Sequence, residues 1–164
     1  MKKLSFLLGF VSLMGSGCGW LLGVASDVDK HVDAAPQSAM PQAAFRDQAL
    51  EAKLTQLFKA RMDNYNSEPG AFKVSYAYAA EPWDDVTRNE EIKDKDGNVI
   101  ATTENQILTG RRLNVWITGR TKTGNCGAVQ GHVAFDVHGA KMDSTPYDIG
   151  ISDSTDPLKF PCRR

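Results

Sequence analysis

The sequence predicts an α+β domain in which one long amphipathic helix packs on an antiparallel sheet of five or six strands. Three observations predict this class. The segment from Gln42 to Met62 contains no Gly or Pro and is rich in good helix formers. From Phe72 onward, apolar and polar residues alternate with a period of two. Short turns such as Asp96-Gly97 separate the alternating runs, which favours antiparallel neighbours over a parallel sheet.

The helix is expected to begin after Ser38, a candidate N-cap, with Pro41 in its first turn. Its core stripe follows helical spacing and comprises Leu50, Leu54, Leu57, Phe58 and Arg61, flanked by Phe45, Ala49 and Ala52. The expected solvent face carries Glu51, Lys53, Gln56 and Lys59. The polar, Gly- and Pro-containing residues 64–70 then end the helix.

In the first predicted strand, alternate side chains point toward the core, and the side chains between them lie on the other face of the sheet. The core set is Phe72, Val74, Tyr76 and Tyr78, and the opposite set is Lys73, Ser75, Ala77 and Ala79. A hairpin follows, with arms at Val86–Lys93 and Val99–Glu104 around residues 94–98. Its Asp and Gly residues do not match the register of a calcium loop. The polar arms predict a projecting ribbon or a wet sheet edge that keeps the protein soluble and only secondarily serves for docking.

Three further strands complete the predicted sheet. Their inward residues are Leu113, Val115 and Ile117, then Val129, Val133, Phe135 and Val137, and finally Tyr147, Ile149 and Ile151. Over residues 41–151 this arrangement resembles the cystatin-like and NTF2-like group of folds, a likeness of architecture that carries over no functional residue. A small β-barrel with an N-terminal helix is the alternative.

The N-terminus has the layout of an exported protein. Two lysines precede an apolar run, and Gly15-Ser16-Gly17-Cys18 follows it. This tetrapeptide resembles the lipobox of bacterial lipoproteins, although Gly15 stands where that family usually has Leu or another branched residue. The resemblance implies a signal peptide over residues 1–17, lipidation of Cys18 and anchoring by three acyl chains.

The domain organisation and location follow from this N-terminus. The polar residues 18–40 are predicted to be a lipid-anchored tether, and residues 41–164 a single globular domain. The expected location is the bacterial cell envelope facing the periplasm. The outer membrane is favoured because Gly19 is not the aspartate linked to inner-membrane retention. A signal anchor over Leu4–Ala25 and secretion after cleavage near Val24-Ala25-Ser26 remain alternatives.

Composition and cysteine content narrow the possibilities. The chain has 19 Lys and Arg against 20 Asp and Glu, a net charge of −1, which argues against a nucleic-acid partner. Of the three cysteines, lipidation of Cys18 would leave Cys126 and Cys162 to form a disulfide. That bridge would stabilise the fold by roughly 3–4 kcal/mol. No nucleophile, phosphate-binding or dinucleotide motif occurs, so we expect neither an enzyme nor a cofactor.

Two sets of residues are candidate functional sites. Trp83 is a candidate exposed anchor for a partner. Trp116 could form a recognition face with Arg112 and Asn114, the alternative being that it packs under a loop or the C-terminal tail. His132, Asp136 and His138 share one face of a strand and are weak candidates for a metal site, the alternative being a solvated sheet face.

The sequence therefore predicts a non-enzymatic envelope lipoprotein, anchored to the membrane through its lipid. Its expected partner is another envelope or periplasmic protein, and its expected role is that of an accessory component of an assembly or secretion system. One alternative is a periplasmic inhibitor or immunity lipoprotein. The other is a small-ligand binder with an NTF2-like cavity lined by Phe72, Tyr76 and Tyr78.

Overall fold

The computed structural model describes residues 27–66, 68–152 and 155–162. In this part of the chain two helices accompany a seven-stranded antiparallel sheet, so the protein is an α+β domain. The helices are α1 (Val28–Ala34) and α2 (Gln48–Tyr65). The strands are β1 (Phe72–Ala79), β2 (Asp84–Lys93), β3 (Val99–Thr121), β4 (Cys126–His138), β5 (Lys141–Met142), β6 (Asp148–Ile151) and β7 (Leu158–Phe160).

The sheet is built around β3, which is one continuous strand where the sequence predicts two. β1 and β2 pair with successive halves of one edge of β3, and β4 pairs with the other edge. β5, β6 and β7 share the outer edge of β4. The sheet formed by the described strands is open, so the alternative of a closed barrel is wrong for this part of the chain.

Helix α2 begins later than the sequence predicts. The side chain of Asp47 accepts a 3.0 Å hydrogen bond from the Leu50 amide and is therefore the N-cap. The prediction of Ser38 as N-cap is wrong, because its hydroxyl donates instead to the Lys159 carbonyl at 3.1 Å. The fully buried stripe of α2 consists of Glu51, Leu54, Phe58 and Met62. Leu54 and Phe58 are as predicted, whereas Glu51 and Met62 are buried in place of Leu50 and Arg61.

Glu51 was expected on the solvent face, yet only 5% of its surface is exposed. Its carboxylate accepts a hydrogen bond from the Tyr76 hydroxyl and lies 3.3 Å from Nη1 of Arg46. A buried carboxylate is tolerated where such partners replace its lost water. These partners come from outside the helix, which is why the helical pattern alone misplaces Glu51.

The faces of β1 change halfway along the strand. A bulge between Val74 and Tyr76 leaves Ser75 without a partner and reverses the alternation that follows. Consequently Ala77 and Ala79 join the core, whereas Tyr76 and Tyr78, which were predicted to do so, lie outside the main core cluster. Tyr78 is nevertheless buried, and its hydroxyl donates to the Pro41 carbonyl at 2.7 Å.

The main core lies between α2 and one face of the sheet. It includes Leu54, Phe58, Met62, Leu113, Val115, Ile117, Val129, Val133 and Phe135. Gly131 allows the helix to approach, since a Cβ there would lie 3.0 Å from a ring carbon of Phe58 and 2.8 Å from the Ile117 side chain. A larger residue at this position would have to displace both.

The segment predicted as a free tether contains α1, which packs on the sheet. Val28 and Val32 are buried, and Val32 covers Gly127, where a Cβ would collide with it. Residues 28–40 therefore belong to the folded domain, and this corrects the predicted tether over residues 18–40. The predicted signal peptide and Cys18 lie outside the described residues. Among the residues that are described, no helix is long and apolar enough to cross a membrane.

Cys126 and Cys162 form the predicted disulfide, with their Cα atoms 5.2 Å apart. The bond joins the start of β4 to the segment that follows β7. Because β7 contributes only three residues to the sheet, the disulfide is a major attachment of the C-terminal segment.

The predicted hairpin projects beyond the rest of the sheet. The last pair that joins β3 to β4 is Gly110 and Asp136, so the preceding residues of β3 pair only with β2. At its tip, Oδ1 of Asp94 accepts hydrogen bonds of 2.9 Å from the amides of Asp96 and Asn98. Gly97 adopts φ +86°, which confirms the predicted turn.

Candidate functional site

The face of the sheet opposite α2, which we call the outer face, brings together residues from two of the predicted sites. Arg112, Asn114 and Trp116 alternate along β3 with the buried Leu113, Val115 and Ile117. His132 on β4 stands directly opposite Asn114. We refer to Arg112, Asn114, Trp116 and His132 as the outer-face patch. Arg112 is exposed and the other three residues are half-buried.

One end of the outer face is covered by residues 37–44, which we call the crossing segment. The Ser38 amide donates to the Lys159 carbonyl at 2.7 Å, and the Ala44 amide donates to the Ala79 carbonyl at 3.0 Å. Between these points, the Pro41 carbonyl accepts from Tyr78. The crossing segment thus runs from β7 to the end of β1, and none of its described hydrogen bonds involves the outer-face patch.

Within the outer-face patch, two side chains are held by polar neighbours. Asn114 Nδ2 donates to Glu81 at 2.7 Å, and His132 Nε2 lies 3.2 Å from a carboxylate oxygen of Asp148. The His132 ring lies over Gly150, where a Cβ would come within 2.7 Å of it. The glycine therefore makes room for the imidazole, and Asp148 fixes its direction.

Arg112 differs from Asn114 and His132 because its side chain has no hydrogen bond or ion pair with any of the described residues. Its guanidinium group offers five donors in a plane. Arg112 lies four residues before Trp116 on the same face of β3, with Asn114 between them. Aromatic residues and arginine are enriched in the centres of protein interfaces. The outer-face patch thus offers donors and an aromatic ring suited to recognition.

Trp83 lies apart from the outer-face patch. Its ring packs edge-on against Phe135 with the centroids 6.1 Å apart, and it contacts the main core. The Phe135 ring makes a second contact, with the Lys53 ammonium group 4.5 Å from its centroid. Trp83 is therefore half-buried against the core and not fully exposed, and its role in partner binding stays a prediction.

The three weak metal candidates do not converge. His132 is paired with Asp148, and His138 Nε2 lies 3.6 Å from Asp143. Asp136 stands opposite Gly110 on the outer face. Within residues 27–66, 68–152 and 155–162, no cluster of three or more His, Cys, Asp or Glu side chains could hold a metal ion.

The cavity expected from an NTF2-like fold is also displaced. Phe72 and Tyr78 are each only 1% exposed, so their side chains are packed against neighbouring residues and do not line an open cavity. A cleft of about 380 Å³ lies instead where the crossing segment meets the disulfide. Its lining residues include Met40, Ser75, Thr118, Phe160 and Cys162. Sequence reasoning missed this cleft because residues 37–40 were assigned to the tether and residues 41–44 to the start of the helix.

Comparisons of the chain with protein-family models, with curated proteins and with solved structures found no match in any of the three.

Proposed function

We propose that this chain is a cell-envelope lipoprotein whose folded domain binds another envelope or periplasmic protein. In this proposal it acts as an accessory component of an envelope assembly or secretion system. The observation that carries the proposal is the outer-face patch, in which an exposed arginine side chain without a described partner and a half-buried tryptophan share one face of the sheet. Such residues supply most of the binding energy at many protein interfaces.

The disulfide between Cys126 and Cys162 supports export, because such bonds persist mainly in oxidising compartments. The lipobox-like Gly15-Ser16-Gly17-Cys18 supports attachment through a lipid. Residues 19–27 can span at most roughly 30 Å between Cys18 and the domain, even if fully extended. A lipid at Cys18 therefore holds α1 near the bilayer. Since α1 lies at the end of β3 farthest from the hairpin, the hairpin then points away from the membrane.

An inhibitor or immunity lipoprotein would use the same outer-face patch to block a periplasmic enzyme. The two roles differ in the partner, since an inhibited enzyme loses activity in the complex and a structural component of a machine does not. The partner recovered in the experiment below therefore separates them.

A small-ligand binder is a second candidate function, and one observation favours it. The cleft of about 380 Å³ beside the disulfide has Met40 and Phe160 in its wall and lies within the range of small-ligand sites. The packing of α2 on an open antiparallel sheet also supports the cystatin-like or NTF2-like architecture. NTF2-like folds often bind ligands between the helix and the sheet. In this protein the cleft lies on the face of the sheet opposite α2, so the likeness of architecture supports the fold and does not support ligand binding in this cleft.

Site-specific photo-crosslinking tests partner binding. A photoreactive amino acid replaces Asn114 in the full chain, expressed in the bacterium that produces it. The matched control carries the same amino acid at Lys59, which is exposed on the solvent side of α2. We expect one stoichiometric envelope protein to be captured from position 114 and not from position 59. Substituting Arg112→Glu should abolish that capture. The same capture from both positions, or none from position 114, contradicts the proposal.

Export and lipidation are tested separately by mass spectrometry of the natively produced protein. We expect a mature chain that begins at Cys18, carries acyl groups and contains the Cys126–Cys162 bond. Substituting Cys18→Ser should release the protein from the membrane fraction. An intact Met1 together with an unmodified Cys18 contradicts this part of the proposal without affecting the first experiment.

A further inference from the structure

The hairpin of β2 and β3 leaves an unusually large sheet surface uncovered. β2 pairs with β3 alone among the described strands, and all of its residues except Val86 are exposed. Six large apolar residues are strongly exposed in the described part of the chain, and four of them lie on this hairpin: Ile92, Val99, Ile100 and Ile107. A two-stranded ribbon is only marginally stable alone in water, so pairing at a free edge would stabilise it.

The two edges of the hairpin are not equivalent. The register between β2 and β3 shifts at three places, and at each place the extra residue or residues lie on β3. Bulges of this kind bend a strand and interrupt its edge, which protects it against pairing. β2 carries no extra residue at any of these places, and its pairing with β3 is interrupted only at Glu90, which stands opposite residues 103–105. We therefore expect β2 to keep the more regular outer edge.

We propose that β2 pairs antiparallel with β2 of a second copy of this chain. The two-fold axis passes between Asn89 and Asn89 of the second copy, which stand opposite each other. This pairing is self-complementary. It places Arg88 opposite Glu90 of the second copy and Val86 opposite Ile92 of the second copy, and the symmetry repeats both pairs. Opposite charges and apolar pairs across neighbouring strands are stabilising. Roughly six to eight backbone hydrogen bonds would form over these seven residues.

The charges on β2 also exclude the neighbouring registers. A shift of the second strand by two residues keeps the same faces together but sets Glu90 opposite its own copy in one direction. In the other direction it sets Arg88 opposite its own copy. Like charges directly opposite each other are destabilising. A shift by one residue exchanges the two faces of the strand. The pattern of β2 thus allows one pairing and disfavours its alternatives.

The side chains of β2 are free to make these contacts. The Arg88 side chain has no hydrogen bond or ion pair with the described residues, and the one described contact of the Glu90 carboxylate is with Asn105 at 3.5 Å. Val86 stands opposite Gly110, and Asp84 stands opposite Arg112, so Val86, Arg88, Glu90 and Ile92 lie on the outer-face side of the sheet. The pair of chains would therefore form one continuous sheet that presents two outer-face patches on the same side. This inference does not depend on export or on the identity of a partner.

Cysteine crosslinking in the full chain tests this geometry. The variant Asn89→Cys brings the two introduced thiols together on the axis, with their Cβ atoms about 4.5–5.5 Å apart. The control variant Thr87→Cys lies on the same face of β2, but its two thiols would be about 13 Å apart along the strand. On non-reducing gels we expect the covalent dimer of the Asn89→Cys variant to be about tenfold more abundant than that of the control, since only the former geometry permits a disulfide.

Charge reversal then tests the proposed register. In the Asn89→Cys background, Arg88→Glu should abolish the covalent dimer because it sets two carboxylates opposite each other. Adding Glu90→Arg should restore the dimer. Mass spectrometry of the Cys126–Cys162 bond checks that each variant has folded. The proposal is overturned if Asn89→Cys gives no dimer, if it crosslinks no better than Thr87→Cys, or if the dimer persists after Arg88→Glu.

Discussion

The carboxylate of Asp33 in α1 accepts a 2.8 Å hydrogen bond from the hydroxyl of Thr121 at the end of β3. The same carboxylate accepts hydrogen bonds from the Thr123 hydroxyl and from the side-chain nitrogen Nδ2 of Asn125, each at 2.9 Å. Lys159 on β7 donates to the Asp33 backbone carbonyl at 2.8 Å. One residue of the N-terminal segment therefore holds together the turn between β3 and β4 and the last strand of the sheet.

Replacing Asp33 with asparagine should destabilise the domain. The substitution removes the charge that three donors share, and we expect the free energy of unfolding to fall by about 1–3 kcal/mol. Urea denaturation of the full chain measures this change. The control is Asp29→Asn on the same helix, where the carboxylate has no hydrogen bond to the described residues and the expected loss is below about 1 kcal/mol. Equal losses for the two variants would contradict the role given to Asp33.

The contribution of Asp33 should also depend on acidity. Burial alone would raise the pKa of this carboxyl, but hydrogen bonds from Asn125, Thr121 and Thr123 outweigh it and lower the pKa below the usual value of 3.8. Since the folded pKa is the lower one, the stabilisation is complete above the unfolded pKa and is lost as the pH falls through the folded pKa. The stability difference between the natural protein and Asp33→Asn should therefore shrink as the pH falls from about 5 to 2. A difference that stays constant over this range would refute the assignment.

The elements that the sequence predicts well are those with local signals. The hairpin around Gly97 follows from its turn residues, and the body of α2 follows from a long run without Gly or Pro. The failures involve distant partners. Nothing near Val28 or Val32 shows that these two residues will be buried, because their contacts lie on β3, β4 and β7. The bulge at Ser75 is equally invisible, since it depends on the register with β3.

The candidate site could be predicted only in part. Alternation along β3 correctly places Arg112, Asn114 and Trp116 on one face, because period-two patterning is a property of the strand itself. Trp83 follows Pro82 in a connection between strands, where no period indicates a direction. Its contact with Phe135 arises from the fold, so sequence reasoning had no signal for it.

The two tryptophans should respond differently to truncation. Trp83→Ala removes a ring that packs on Phe135, and we expect it to lower the free energy of unfolding by about 2–4 kcal/mol. Trp116→Ala should cost less stability, because Trp116 lies outside the main core cluster. The two variants should show the opposite order in the photo-crosslinking experiment at position 114. Trp116→Ala should weaken crosslinking to the partner, whereas the folded fraction of Trp83→Ala should still crosslink. A greater stability loss for Trp116→Ala would contradict this division.

Removal of the disulfide should affect stability strongly. The bridge closes a loop with a sequence separation of 36 residues, and the paired substitution Cys126→Ser with Cys162→Ser should lower the free energy of unfolding by about 3–4 kcal/mol. A reductant should destabilise the natural protein and leave the variant unchanged, which provides the control. A loss below about 1 kcal/mol would show that β7 and the crossing segment hold the C-terminal residues without the bond.

Ionisation of the Tyr78 hydroxyl should lower the stability of the folded domain at alkaline pH. Burial raises the pKa of its hydroxyl from 10.0 to about 12, with the nearby Arg46 guanidinium opposing the rise. Because the folded pKa is the higher one, the stabilisation is complete below the unfolded pKa and is lost as the pH rises through about 12. The Tyr76 pKa is also raised, mainly by the hydrogen bond to Glu51, so some alkaline sensitivity should remain when Tyr78 is replaced.

The variant Tyr78→Phe separates these effects. At neutral pH it loses only the hydrogen bond to the Pro41 carbonyl and should be about 0.5–1.5 kcal/mol less stable than the natural protein. Above pH 10 the natural protein must keep a buried hydroxyl protonated, a requirement that the variant does not have. The stability difference should therefore narrow as the pH rises above 10, reverse in sign before about pH 12 and change no further above that pH. Tyr147→Phe, at a residue that is 53% exposed, controls for the loss of a hydroxyl and should leave neutral stability unchanged. A difference between the natural protein and Tyr78→Phe that does not vary with pH would mean that the crossing segment opens and exposes Tyr78 before the domain unfolds.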